Sequence, residues 1–147
     1  MKLIEKTQHF FYTIGFKLRH KTKYYFITSV RRYIPDEHQW KGMVSRWKAN
    51  GVWDNGSSKK REDYELEETR CWGFLKSKKR AIELVENNVT DLNEAGYYKY
   101  VVIETSYEGL LPYADNQMWF IYNRETGKYD RCEKPRFSEG IVNYCLG

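Results

Sequence analysis

The sequence predicts a single α+β domain: a mostly antiparallel sheet with one main helix packed on a face, preceded by an N-terminal extension of helix or strand. Three observations predict it. With 147 residues and 41% hydrophobic side chains, the chain has the length and apolar content for one core. Ile82, Val85, Val89 and Leu92 recur at helical spacing. Segments 117–123 and 128–133 flank Arg124-Glu125-Thr126-Gly127, a hairpin pattern, and a hairpin pairs its strands antiparallel.

In chain order, residues 1–23 form the extension. Leu3, Phe11, Ile14 and Leu18 suit an amphipathic helix, whereas Phe10-Phe11-Tyr12 suits a short strand. Residues 24–34 are rich in β-branched and aromatic side chains and read as a strand that Pro35 ends. Pro35 can also open a helix, where its missing N–H costs nothing. Trp40, Met43, Val44 and Trp47 then repeat at helical spacing, and Asn50-Gly51 supplies a C-terminal cap, giving a short helix at 36–48.

Residues 50–63 contain two Asn-Gly pairs and a charge run, and read as a surface loop, or as a small hairpin around Val52 and Trp53. A strand is expected at 64–75. Ser77 caps the main helix, 78–95, and Gly96 ends it at the C′ position, where a positive φ carries no Cβ strain. Strand 97–106 is apolar on both faces, which places it centrally in the sheet: Tyr98, Tyr100, Val102 and Glu104 on one face, Val101 and Ile103 on the other. The tail FSEGIVNYCLG offers a further edge strand. There is no internal repeat and no low-complexity tract.

Charge divides the chain. Residues 1–61 carry 14 Lys/Arg against 4 Asp/Glu, and residues 62–147 carry 11 against 16, so the net +5 conceals a basic half and an acidic half. Such a division serves an anionic partner, or lets the two halves attract each other. Three cysteines without a CxxC pair argue for reduced thiols rather than a disulfide scaffold. The apolar run near the N-terminus is about half a membrane span and lacks a small-residue cleavage site. A cytoplasmic protein is expected.

Segments TRCWGF (69–74), AIELVENNVTDLNEAGYYKYVVIE (81–104), EGL, QMWFIYN and the terminal NYCLG resemble a group of small proteins of Gram-positive bacteria and their phages. The similarity spans about residues 66–147. It implies a small stand-alone cytoplasmic protein carried by mobile elements. It transfers no active-site residue.

The residues themselves offer four constellations. Asn88 and Asp91 share one flank of the expected helix's buried stripe, where they either bond a neighbouring loop or strand or read the polar edge of a ligand. Arg70 and Trp72 alternate on one strand face, a clamp for a planar anion unless Glu104 claims the arginine. Arg31, Arg32, Lys59, Lys60, Arg61, Lys78 and Lys79 suit nucleic acid or a solvated surface. Lys78, Lys79 and Arg80 fall in the first turn of a helix, where the macrodipole disfavours cations.

Catalytic signals are weak. His9, His20 and His38 have no metal-ligand spacing, no nucleophile motif occurs, and Asp91 with Glu104 makes a carboxylate pair only if helix and strand edges meet. No catalytic residue, metal or cofactor is expected. The reading is a non-enzymatic protein that captures a planar anionic ligand, such as a nucleotide-derived signal, as an anti-defence device. Its site would hold Arg70, Trp72, Asn88, Asp91, Tyr98 and Glu104. A module binding nucleic acid or a host protein through the basic half is the alternative, a phosphoesterase the third reading. A homo-oligomer is compatible with each.

Overall fold

The computed structural model describes residues 22–53, 59–108, 114, 116–141 and 143–145. Residues 1–21 of the N-terminal extension, with His9 and His20, and the centre of the 50–63 loop lie outside the described residues. Five strands form one antiparallel sheet: β1 (Lys23–Tyr33), β2 (Leu66–Leu75), β3 (Tyr100–Tyr107), β4 (Asn116–Asn123) and β5 (Lys128–Cys132), in the order β2-β1-β3-β4-β5. β3 is central, as its two apolar faces predict. The β4–β5 hairpin closes at Gly127, which takes φ +69.

Side-chain alternation on β3 splits the core in two. Val101 and Ile103 join Ile27, Phe120 and Tyr129 on one face, under helix α2 (Lys78–Glu86) through Ala81 and Val85. Val102 joins Val30, Trp119 and Tyr144 on the other. That second face is covered by the C-terminal tail, through Phe137, Ile141 and Tyr144, with a 3-10 turn at Arg136–Ser138. The described tail is a lid, not the expected edge strand.

Helix α1 (Glu37–Ala49) begins one residue later than Pro35 suggested. Asp36 is the N-cap, and its carboxylate accepts from the Gln39 N–H at 2.7 Å. The Gln39 carboxamide accepts in return from the Asp36 N–H at 3.0 Å, a reciprocal capping box. At the other end Gly51 has φ +69, and the Gly51 and Val52 N–H groups bond the Lys48 and Trp47 carbonyls. That is the C-cap expected of Asn50-Gly51.

The main helix is shorter than its apolar stripe. α2 starts at the Ser77 cap as expected but stops at Glu86, not at 95. Asn88 occupies the C′ position with φ +47, its N–H on the Val85 carbonyl and the Val89 N–H on the Leu84 carbonyl. Asparagine is the residue after glycine that best tolerates this left-handed position. The Asn87-Asn88 pair therefore ends the helix, and Gly96 instead closes the loop that follows. In that loop Thr90, Asp91, Glu94 and Ala95 also take positive φ. The strand after it begins at Tyr100 rather than Tyr97, so Tyr98 belongs to the loop.

Candidate functional site

β2 carries one residue more than β1 in their pairing. Cys71 faces Thr28 and Gly73 faces Ile27, so Trp72 is the extra residue of a bulge, and Gly73 takes φ +127. The bulge turns the indole toward the α2 face, where Trp72 packs against the core. Its N–H donates to Ser29 Oγ at 2.8 Å, and Ser29 donates onward to the Leu92 carbonyl at 2.7 Å. One hydroxyl thus ties the bulge, β1 and the 87–99 loop together.

A groove of about 370 Å³ opens at this junction. Ile27, Trp72, Leu75, Leu84, Val89 and Leu92 line it. Leu84 and Val89 meet there because the Asn88 cap folds the chain back on the last helical turn. Beyond the indole stands Arg70, its Cζ 4.1 Å from the Trp72 ring centroid. The guanidinium also pairs with Glu94 across the loop. Both partners of that pair keep surface in water, with side-chain exposures of 53% and 33%.

The other predicted ligand contacts fall elsewhere. Asn88 and Asp91 share no helix flank, because the helix has already ended. Their side chains brace the loop: Asn88 Oδ1 accepts from the Asn93 N–H at 3.1 Å, and Asp91 Oδ2 accepts from the Ala95 N–H at 3.1 Å. With its amide turned so that the nitrogen faces the carboxylate, buried Asn93 donates to Asp91 Oδ1 (2.9 Å) and accepts from the Gly96 N–H (3.1 Å). Tyr98 is buried, its ring edge-on to Tyr97 at 5.0 Å, which leaves a stacking ligand little of its face.

Glu104 lies on the opposite face of the sheet, with no exposed surface. It accepts from the Tyr144 N–H (2.8 and 2.9 Å), the Cys145 N–H (2.8 Å) and Gln117 Nε2 (3.0 Å). Burial raises its pKa, against the pull of these donors. Glu104 therefore neither pairs with Arg70 nor forms a carboxylate couple with Asp91. It is the post to which the tail is tied.

The basic residues separate as well. Arg31 and Arg32, adjacent on β1, point to opposite faces. The Arg31 guanidinium lies between the rings of Tyr33 (4.2 Å) and Tyr97 (4.0 Å). Those two phenols donate to the two oxygens of Glu68, Tyr33 at 2.6 Å, and thereby lower the Glu68 pKa. Arg32 pairs with Glu65 (2.6 Å) and Glu67 (3.3 Å) and packs on Phe137. Arg61 donates to the Pro35 carbonyl at 3.0 Å. Lys59 sits over Trp47 at 5.1 Å, Lys60 is exposed, and Lys78 and Lys79 are exposed on the first turn of α2.

Of the expected contacts, then, Arg70 and Trp72 stand together beside a cavity, and Asn88, Asp91, Tyr98 and Glu104 serve the framework. Sequence reasoning missed Ser29, Leu84, Glu94 and Asn93. Gly73 inside a strand was the one signal for the bulge. No cluster of three or more His, Cys, Asp or Glu among the described residues is placed to hold a metal ion. No described helix is long and apolar enough to cross a membrane. Comparison of the chain with protein-family models, with curated proteins and with solved structures returned no match.

Proposed function

We propose that this is a non-enzymatic binding protein that captures a small ligand with a planar apolar body and an anionic group. The body lies against Trp72 in the groove, and the anion meets Arg70. The observation that carries the reading is an apolar cavity of about 370 Å³ lined by Trp72, whose ring also holds the Arg70 guanidinium at 4.1 Å. That volume is in the range of small-molecule sites, which are mostly apolar with a few orienting polar groups. An aromatic face with a cation beside it suits a base or similar ring bearing a phosphate or carboxylate.

Two further features support the reading. Backbone in left-handed conformations costs about 1–2 kcal/mol per non-glycine residue, and here four such residues follow the helix cap in the loop that walls the groove. The exposed Arg70–Glu94 pair contributes little to stability, on the order of 0–1 kcal/mol, so exchange of Glu94 for a ligand anion is inexpensive. Capture needs no chemical step. A nucleotide-derived signal fits the chemistry, and in the mobile-element setting that the resemblance implies, removing such a signal would act as anti-defence.

Native mass spectrometry of protein purified from its host tests the proposal. The expected result is a retained small anion of one mass, lost when Arg70 is replaced by Ala. Protein that carries no adduct, and that no member of a nucleotide and aromatic-acid panel stabilises, would overturn it.

A further inference from the structure

We infer that helix α1 and the aromatic residues beside it form a second surface, one that binds single-stranded nucleic acid. It is independent of the groove at Trp72. The apolar stripe of α1 does not join either core of the sheet, and no residue of the helix is buried. Its aromatic side chains meet two residues outside the helix instead. Trp40 contacts Trp47 (5.6 Å between centroids), Trp53 (6.2 Å) and Tyr64 (5.4 Å). Trp47 contacts Tyr64 (5.2 Å) and lies nearly parallel to Trp53, at 10° and 5.9 Å.

All four rings keep part of their surface in water, whereas Trp119 in the sheet is 1% exposed. Three partly exposed indoles thus gather on a surface that joins neither core of the sheet.

The charge around them says what the surface fits. Lys41, Arg46, Lys48 and Lys60 are exposed and make no ion pair among the described residues. Lys59 stands over the Trp47 ring. Alongside runs a groove of about 610 Å³ bordered by His38, Gln39, Met43, Arg46, Trp47 and Asn50. Partly exposed rings stack unpaired bases, cations hold the phosphates between them, and carboxamides bond base edges. Duplex DNA keeps its bases stacked on one another and offers nothing to the rings.

The test is a titration of the full chain with a single-stranded oligonucleotide of about 12 nucleotides, followed by tryptophan emission. Stacking should quench the emission, and affinity should fall with salt by about 0.7 log units per tenfold salt for each phosphate engaged. The Lys41→Gln/Arg46→Gln/Lys60→Gln variant removes exposed charges only, so it should fold as the parent does. It should bind at least about tenfold more weakly with a flatter salt slope. Trp53→Ala should lose most of the quench.

Three results would each overturn the inference: no quench at low salt, a quench that the triple variant leaves intact, or a duplex binding as tightly as the single strand. Displacement by an acidic polypeptide as effectively as by the oligonucleotide would also overturn it, and would reassign the surface to an acidic protein.

Discussion

Glu104 and Glu68 sit in the same sheet and respond to pH in opposite senses. Burial raises the Glu104 pKa above its unfolded value, so its contribution to stability is present below that value and lost as pH rises through the folded pKa. The Tyr33 and Tyr97 phenols lower the Glu68 pKa, so its contribution is present above the unfolded value and lost as pH falls through the folded pKa. Urea melts across pH should therefore show Glu104→Gln abolishing a decline on the rising side and Glu68→Gln abolishing a loss on the acid side. Both variants altering the same limb would contradict this. Glu104→Gln should also cost about 1–3 kcal/mol at neutral pH, because its Oε1 can still accept from both tail N–H groups but the N–H₂ in place of Oε2 cannot accept from Gln117 Nε2.

Asn88 gives a second test at this scale. Its φ of +47 favours glycine over alanine, while both replacements lose the acceptor for the Asn93 N–H. Asn88→Ala should be less stable than Asn88→Gly by about 1 kcal/mol or more, read from denaturant midpoints. Equal stabilities would mean that the side chain, and not the left-handed cap, is what the position requires.

Among the elements, those whose residues agree locally and globally were legible. β1, the β4–β5 hairpin, the central place of β3, the Ser77 cap and the Asn50-Gly51 cap all stand where pattern and capping chemistry put them. The end of α2 was not legible from periodicity, because Val89 and Leu92 continue the helical spacing after the helix has stopped. Leu92 is still buried, but through the loop. Its stop signal was the Asn87-Asn88 pair, whose side chains compete for backbone groups.

Of the site, Arg70 and Trp72 were legible as an aromatic–cation pair. The cavity beside them was not, since a bulge and a run of left-handed residues make it, and neither leaves a period in the sequence. The bulge has its own prediction. A Cβ on Gly73 would meet nothing within 4 Å, so Gly73→Ala isolates the backbone cost of φ +127. It should destabilise by about 1 kcal/mol or more and shift the Trp72 emission, because the bulge aims the indole. An unchanged emission would mean that the Ser29 hydroxyl alone positions the ring.

At the scale of the molecule, the charge division of the sequence is partly spent inside the fold. Basic β1 lies beside Glu-rich β2, with Arg31 opposite Glu68 and Arg32 opposite Glu67 in the register. Among the described residues of the basic half, Lys41, Arg46 and Lys48 lie on α1 and Lys59 stands over its Trp47. The sheet itself is closed on one face by α2 and on the other by the tail, and the ligand groove lies where α2 gives way to its loop.

In the proposed capture, Glu94 holds Arg70 until a ligand anion replaces it. Thermal scans of the parent, Arg70→Ala and Glu94→Gln, each with the adduct found by mass spectrometry, test it most directly. A saturating ligand at about 100 times its Kd stabilises the parent by about 2.7 kcal/mol. Arg70→Ala should lose this rise while melting near the parent without ligand, and Glu94→Gln should show a larger rise than the parent at the same concentration. A full rise in Arg70→Ala, or a smaller one in Glu94→Gln, would contradict it.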